Sequence, residues 1–360
     1  MTATQDLRAR GQSLWLDNIT RELLDDGSIR RYIEDDAVTG LTSNPSIFDA
    51  AVKTGAYDAD IADLSRQGLS SEEVFFELAI TDLQRAADLF APVHRATDGV
   101  DGWVSLEVSP LLAFDADATI AAARELHQRA DRSNLFIKIP GTSEGLVAIE
   151  ECIAAGVAIN VTLLFDAEQY VACAQAYLRG VERRIDAGLN PAVASVASLF
   201  VSRWDVAVAE QVPPELRNRL GLAVGHETYL AYRSFLASDR FLRAANHGAR
   251  PQRLLWASTK TKDPAAPETL YVQGLVAPFT INTMPDATLR AVRGLDALAA
   301  PLPSSDAGLD ELFDRFAGAG VDRHALARTL QAEGAAAFSH SWRELLSHIE
   351  NQRSTNEGAT

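Results

Sequence analysis

Eight short apolar runs alternate with longer segments of helical period along this chain, and this alternation restricts the fold more than any other feature. The runs cover residues 13–18, 40–44, 103–109, 135–141, 158–165, 192–200, 253–259 and 279–283. Strands that alternate with helices favour repeated βα units and a parallel sheet. Eight such units predict a closed barrel, which usually needs about 250 residues. We therefore expect an α/β fold, a (β/α)8 TIM barrel.

The chain has 360 residues, more than such a barrel needs, and no low-complexity linker divides it. We predict a single barrel domain over residues 1–360. The surplus is assigned to a helical insertion at about 205–247 and to a C-terminal helical extension at about 286–350, expected to pack on the barrel exterior. A separate helical domain is the alternative, but the lack of a linker argues against it. Residues 354–360 are expected to fray.

Charge and cysteine content exclude several functional classes. The formal net charge of −16 opposes binding to nucleic acid or to an anionic membrane surface, so an anionic substrate must meet a local cluster of positive charge. Cys152 and Cys173 have no paired spacing and are interpreted as small buried side chains in a reducing compartment. Without a signal peptide or a long apolar segment, a cytoplasmic location is expected. The scattered histidines predict no metal site.

Polar residues in four of the runs share one strand face. Successive side chains of a strand point to opposite sides, so Lys138 in FIKI opposes Ile137 and Ile139. The same alternation in LWLD, VSLEV and INVTL sets a group of apolar residues against the surrounding helices: Leu14, Leu16, Val104, Leu106, Val108, Ile159, Val161 and Leu163. The polar set then points into the barrel: Asp17, Glu107, Lys138, Asn160 and Thr162. These residues come late in their runs, near the carboxyl ends of the strands, where barrel enzymes keep their chemistry.

A lysine in this position has two interpretations. One is an ion pair of Lys138 with Asp17 or Glu107 that only fixes packing, although desolvation offsets the attraction in such pairs. The other is a nucleophile, because burial disfavours the ammonium form of a lysine and the neutral amine attacks a carbonyl carbon to give a Schiff base. Glu107 and Asp17 could then move protons, directly or through a water held by Thr162. These residues favour a Schiff-base barrel of the aldolase type.

An ordered set of segments resembles the transaldolases. The segments are LD in the first run, TSNPS at 42–46, LEVSP at 106–110, FIKIPGT at 136–142, NVTLLF at 160–165, SLFVSR at 198–203 and WAST at 256–259. With NTMPDATL after the eighth run, the chain is similar to the longer bacterial branch. The resemblance implies a cofactor-free exchange of a dihydroxyacetone unit between sugar phosphates in the non-oxidative pentose phosphate pathway. Sedoheptulose 7-phosphate and glyceraldehyde 3-phosphate would give erythrose 4-phosphate and fructose 6-phosphate.

The resemblance also implies residue roles at the reacting carbons. Lys138 would form the Schiff base, and Asp17 would take the proton from the C4 hydroxyl as the C3–C4 bond breaks. Glu107 and Thr162 would hold the water that assists the imine steps.

Further residues would bind the rest of the substrate. Those for the dihydroxyacetone hydroxyls are Asn44 and Asn160, with Ser198 beside them. Asn44 also precedes a proline and is therefore a candidate helix cap, and the two roles are compatible.

The phosphate would be bound by Arg203 and Ser258. Many relatives place an arginine two residues after the serine, where this chain has Lys260 followed by Lys262, and which lysine contacts the phosphate stays open. A lysine acts as a point charge without the bidentate fork of arginine. Leu199 and Ser202 replace a proline and a glycine that are common in relatives, which leaves the local backbone path open.

Two other functions remain as alternatives. The fructose 6-phosphate aldolases, sister enzymes that release free dihydroxyacetone, tend to carry Gln and Tyr where this chain has Glu107 and Phe200. The carboxylate and the phenylalanine therefore favour transfer over simple cleavage. A non-catalytic sugar-phosphate binder would keep Arg203 and Ser258 but has no use for a buried lysine. The sequence is compatible with a monomer or a homodimer.

Overall fold

Eight parallel strands close into a barrel in chain order, and β8 pairs with β1. The computed structural model describes residues 2–306 and 308–357, with side chains as far as Arg353. Within these residues the strands are β1 (Ser13–Asp17), β2 (Val38–Thr42), β3 (Trp103–Glu107), β4 (Leu135–Pro140), β5 (Ile159–Leu164), β6 (Ser195–Phe200), β7 (Gln252–Ala257) and β8 (Ile281–Met284). The predicted α/β class and (β/α)8 TIM barrel are confirmed.

Helices surround the barrel and occupy the connections between its strands. They are α1 (Ala3–Ala9), α2 (Arg21–Asp25), α3 (Ser28–Asp35), α4 (Pro45–Val52), α5 (Asp58–Arg66), α6 (Ser71–Ala96), α7 (Ala116–Ala130), α8 (Ser143–Ala155), α9 (Ala167–Asp186), α10 (Ser202–Val208), α11 (Leu220–Leu236), α12 (Asp239–Asn246), α13 (Leu270–Gly274), α14 (Asp286–Arg293), α15 (Leu309–Gly318) and α16 (Arg323–Glu357). Short 3-10 turns cover Pro110–Leu112 and Pro214–Leu216. Residues 205–247 thus contain most of α10 and all of α11 and α12.

Side chains at the ends of α8 explain why this helix begins and ends where it does. The Thr142 hydroxyl accepts a hydrogen bond from the Gly145 amide at 3.0 Å, which satisfies one of the free amides of the first turn. At the other end Gly156 takes a left-handed φ of 92°, which costs glycine little. The segment was expected to be helical, and the two cysteines of α8 and α9 are free and buried as predicted. Burial raises the pKa of Cys152 to about 12.

The barrel wall separates two hydrophobic layers, as the strand parity predicts. The outer layer between the strands and the helices includes Leu14, Leu16, Val104, Leu106, Val108, Ile137, Ile139, Ile159 and Val161. The second cluster includes the aromatic side chains inside the barrel and continues into α10, α11, α15 and α16. Inside the barrel the ring centres of Trp103 and Phe136 are 4.1 Å apart, and those of Trp15 and Phe136 are 6.1 Å apart. A Cβ on Gly40 would lie 2.6 Å from the Trp15 ring, so only glycine lets β2 pass this close to the indole.

The prediction that Leu163 faces the helices with Ile159 and Val161 is wrong. Leu163 adopts a left-handed φ of 59°, and the pairing of β5 with β6 shifts its register between Val161 and Leu164. This bulge turns Leu163 toward the inner cluster, and Leu164 takes the outward position instead. A bulge changes the side-chain parity of the residues that follow it, so alternation alone could not locate Leu163.

The C-terminal extension packs outside the barrel, but it also crosses the barrel mouth. Helix α16 contacts α4, α5 and α6 on the exterior. The Gln331 side-chain amide donates to the carbonyls of Gly141 and Leu163, both at 3.0 Å, where β4 and β5 end. The expectation of a purely exterior tail was therefore incomplete.

Two further expectations from the sequence are that residues 354–360 fray and that no segment is long and apolar enough to cross a membrane. The helix continues to Glu357 within the segment expected to fray, and residues 358–360 lie outside the described part of the chain. Among the residues that the structure describes, no helix combines the length and apolar character needed to cross a membrane.

Candidate active site

A cavity of about 630 Å³ opens at the carboxyl ends of the strands. Its lining includes Asp17, Asn44, Lys138, Thr162, Ser198, Arg203, Ser258 and Lys260, all predicted from the sequence as site residues. Lys262 lines it as well. The other two predicted residues, Glu107 and Asn160, are buried beside this lining and contact residues that form it. The barrel thus brings together side chains from opposite ends of the barrel sequence, such as Asp17 and Lys260.

Lys138 lies at the centre of the cavity floor. The strand register places Glu107 of β3 on one side of it and Asn160 of β5 on the other. The Lys138 side chain is only 7% exposed, and its Nζ donates to Glu107 Oε2 at 2.9 Å and to the Ser43 carbonyl at 2.8 Å. The amine therefore has a carboxylate within direct proton-transfer distance.

The two carboxylates near Lys138 are both shifted toward the protonated form. Burial raises the pKa of Glu107, partly offset by the Lys138 charge and hydrogen bond, while Asp17 adds to the increase. Burial also raises the pKa of Asp17, offset in part by Lys138 and by the Thr42 hydroxyl, which donates to Asp17 Oδ1 at 2.8 Å. Carboxyl groups with raised pKa values next to an amine are suited to accept and return protons.

Polar side chains from β5 and β6 complete the floor. Asn160 donates to Ser105 at 3.1 Å and accepts from the Ser198 hydroxyl at 2.8 Å, so neighbouring strands fix its amide. The Thr162 hydroxyl is buried and has no hydrogen-bond partner among the described residues. A buried hydroxyl that lines a cavity and has no protein partner can bind a substrate atom or a water there.

Asn44 has the backbone conformation of a helix cap. Its Oδ1 accepts from the Ile47 amide at 3.1 Å, and Pro45 occupies the first position of α4. Because Asn44 also lines the cavity, its side-chain NH₂ remains able to donate to a ligand while the oxygen caps the helix. The Asn44 side chain can therefore cap α4 and contact a ligand, the two roles expected from the sequence.

Positive charge collects at the end of the cavity near β6 and β7. The guanidinium of Arg203 makes no hydrogen bond or ion pair with the described residues and lies 5.3 Å from the centre of the Phe200 ring. Burial lowers the pKa of Arg203, partly offset by Glu333. The pKa of Lys262 is lowered by partial burial and then by the charges of Lys260 and Arg203. Cations that repel one another and have no ion-pair partner among the described residues are suited to bind an anion.

The backbone at this end is unusual. Ser258 has a left-handed φ of 55°, and its hydroxyl lies 2.9 Å from the hydroxyl of Ser202 at the start of α10. Leu199 continues β6 in register with Trp256, so the strand is regular at this position. The left-handed conformation costs a non-glycine residue on the order of 1–3 kcal/mol, and such strain is often found at functional sites.

Several residues of the cavity were not identified from the sequence. They are Asn18, Thr42, Thr283, Asp286 and Phe338. Asp286 comes two residues after the end of β8. Other site residues also lie at the carboxyl ends of strands, so this position could have identified Asp286 from the sequence. It accepts hydrogen bonds from Asn18 at 2.7 Å and from Tyr32 at 2.9 Å, and burial with this contact raises the pKa of Tyr32 to about 12. Phe338 gave no signal because it comes from α16, far from any strand end.

Comparison with known proteins identifies similar chains. The family model described as transaldolase/fructose-6-phosphate aldolase matches residues 14–349. A protein named transaldolase from Acidothermus cellulolyticus is 44% identical over 358 residues, covering 96% of this chain and 95% of the relative. Proteins of the same name from Thermobifida fusca and Mycolicibacterium smegmatis are 44% and 42% identical, and each alignment covers at least 96% of both chains.

Proposed function

The chain belongs to the transaldolase/fructose-6-phosphate aldolase family, and from this premise we propose that it acts as a transaldolase. It transfers a dihydroxyacetone unit from sedoheptulose 7-phosphate to glyceraldehyde 3-phosphate, giving erythrose 4-phosphate and fructose 6-phosphate. This reaction belongs to the non-oxidative pentose phosphate pathway. The observation that carries the proposal is the buried Lys138, paired with Glu107 on the floor of a cavity. At one end of this cavity lies Arg203, which has no ion-pair partner in the part of the chain that the structure describes.

Lys138 is the nucleophile in this proposal. Its proton passes to Glu107 over the 2.9 Å contact, and the neutral amine attacks the C2 carbonyl of the donor ketose. The resulting carbinolamine loses its hydroxyl as water when Glu107 returns the proton, which leaves a protonated Schiff base. Thr162, whose hydroxyl has no partner among the described residues, holds this water.

Asp17 is the base for carbon-carbon cleavage. It takes the proton from the C4 hydroxyl, the C3–C4 bond breaks, and the electron pair moves into the iminium to give an enamine on Lys138. The aldehyde product leaves. The acceptor aldehyde then adds by the reverse path, with Asp17 returning the proton to the new hydroxyl. The raised pKa of Asp17 suits a group that must both accept and donate.

The remaining predicted residues bind the substrate. Asn44, Asn160 and Ser198 donate to or accept from the hydroxyls of the dihydroxyacetone unit. The phosphate at the far end of the sugar lies at the cationic end of the cavity against Arg203, Ser258 and Lys260, and Lys262 adds a further positive charge. Arginine supplies the bidentate contact that the lysines lack.

A coupled assay separates transfer from simple cleavage. Fructose 6-phosphate is supplied with and without erythrose 4-phosphate, and glyceraldehyde 3-phosphate formation is followed. A transaldolase gives sustained product only with the acceptor. Equal rates without the acceptor would favour an aldolase that releases dihydroxyacetone, and tight binding of the sugar phosphate without turnover would favour a non-catalytic binder.

The mechanism uses only groups of the protein and the substrate, and no cofactor or metal takes part in its steps. We further propose a cytoplasmic location, where sugar phosphates are available, and a monomer or a homodimer as the working form.

A further inference from the structure

Helix α16 carries a glycine where it crosses the cationic end of the cavity. Gly334 lies in the interior of this helix, where glycine is less favourable than alanine because it loses more backbone freedom on folding. Gln331, one turn earlier, anchors the helix to the carbonyls of Gly141 and Leu163. Phe338, one turn later, lines the cavity. The backbone of α16 is thus held close to the site on both sides of the glycine.

The space beside Gly334 is filled by two other side chains. A Cβ added to Gly334 would lie 3.2 Å from Nη1 of Arg203 and 2.9 Å from Cδ2 of Leu163. The 2.9 Å contact is too short for two carbon atoms, so the Leu163 side chain would have to move, and the 3.2 Å contact is tight enough that the Arg203 guanidinium would have to shift by a few tenths of an ångström. The Gln331 hydrogen bonds prevent the helix from moving away without loss of those contacts.

Arg203 has little else to define its position. Its guanidinium has no hydrogen bond or ion pair with the described residues, and its one ring contact is with Phe200. Packing against the bare backbone at Gly334 therefore helps to set the direction of this side chain, together with the Phe200 ring and the charge of Glu333.

We propose that Gly334 is a positioning residue: the absence of a side chain there lets the Arg203 guanidinium lie against α16 and bind the phosphate of the sugar. This inference rests on the proposed function. Because the phosphate stays far from the bond that breaks, its contact is the same in the ground state and in the transition state. Loss of such a contact raises KM and leaves kcat nearly unchanged.

The test compares Gly334→Ala and Gly334→Leu with Arg203→Ala and with the double variant Gly334→Leu/Arg203→Ala. We expect Gly334→Leu to raise the KM for fructose 6-phosphate roughly tenfold, as loss of a charge-assisted hydrogen bond does, with kcat within about twofold. Gly334→Ala gives a smaller increase in the same direction. The affinity for inorganic phosphate, measured by calorimetry, falls in parallel. Borohydride trapping of dihydroxyacetone, which carries no phosphate, stays unchanged.

The matched control is Gly318→Ala, a substitution at another helical glycine, where an added Cβ meets no atom within 4 Å. It should leave KM unchanged. If Gly334 acts through Arg203, Gly334→Leu adds nothing further in the Arg203→Ala background. Where the leucine variant fails to fold in a thermal unfolding control, the alanine variant is used for the same comparison.

Two results would overturn the inference: an unchanged KM in both Gly334 variants, or an equal increase with and without Arg203. Failure of the proposed function gives a different pattern. The wild-type protein would then bind inorganic phosphate in a Gly334-dependent way but transfer no dihydroxyacetone, a result that supports the role of Gly334 in anion binding.

Discussion

At the scale of single residues, the chain contains few lysines, and most of them lie at the site. The sequence has four, Lys53, Lys138, Lys260 and Lys262, and all except Lys53 line the cavity. The Lys138 contact with Glu107 is a buried ion pair, a weak contributor to stability because desolvation offsets attraction. The pair is therefore better explained by the proton transfer that an amine nucleophile requires than by packing.

The proposed base Asp17 gives a prediction for the pH dependence of the reaction. Burial raises its pKa, so the ionised form is lost at a higher pH than for an ordinary carboxyl group of about 3.9. We expect kcat/KM to fall on the acid side at correspondingly higher pH. Asp17→Asn should lower kcat by about 10²- to 10⁴-fold while the Lys138 adduct still forms.

A second variant checks the sign of this effect. Thr42 donates to Asp17 and thereby lowers its pKa, so Thr42→Val should move the acid limb to still higher pH. A pH–rate profile of both variants and the wild type measures this. An Asp17→Asn protein with wild-type kcat, or a Thr42→Val profile shifted to lower pH, would contradict the role of Asp17.

At the scale of elements, the backbone conformation at the strand ends could not be predicted from sequence patterns. Ser258 and Leu163 both adopt left-handed backbone conformations directly beside the cavity. Such conformations are set by tertiary contacts such as the Gln331 bond to the Leu163 carbonyl. Alternation predicted the strands and their inward faces, but neither residue type signals a turn of this kind.

The hydrogen bonds that link α10, α11 and α13 give a prediction for the pH dependence of folding stability. Asp205 accepts from the amides of Leu220 and Gly221 and from the Tyr271 hydroxyl at 2.9–3.2 Å. Burial outweighs these contacts and raises the pKa of Asp205 to about 6, from 3.8. The folded protein therefore binds a proton more tightly at this site than the unfolded chain, and the resulting stability is lost as the pH rises through about 6.

Urea unfolding between pH 4 and pH 7 tests this contribution. The stability of the wild type relative to Asp205→Asn should fall by roughly 2 kcal/mol over this range. The exposed control Glu210→Gln should follow the wild-type curve. A difference between the wild type and Asp205→Asn that is constant with pH would show that the carboxyl is not shifted in the folded protein.

At the scale of the whole molecule, the sequence predicted the barrel because the pattern is repeated eight times. Each βα unit gives weak evidence, but a closed sheet needs all of them, and β1 to β8 follow the predicted order. The inward set of Asp17, Glu107, Lys138, Asn160 and Thr162 followed from parity in the same way. Phe338 and Gly334 could not be predicted, because a helix distant in sequence reaches the mouth only through tertiary packing.

The division of the chain stays a prediction: one barrel domain over residues 1–360, with a helical insertion at about 205–247 and an extension at about 286–350.

The net charge of −16 makes the positions of the few cations at the cavity important for binding an anion. An anionic substrate is repelled by the molecule as a whole, so its binding depends on the three cations Arg203, Lys260 and Lys262 at the cavity.

The most direct test of the account is to trap the Schiff base. Incubation with fructose 6-phosphate and borohydride should fix a three-carbon adduct, and peptide mass mapping should place it on Lys138. With only four lysines in the chain, the assignment is unambiguous. The Lys138→Ala variant should give no adduct. An adduct on Lys53, Lys260 or Lys262, or an unchanged adduct in Lys138→Ala, would contradict the account.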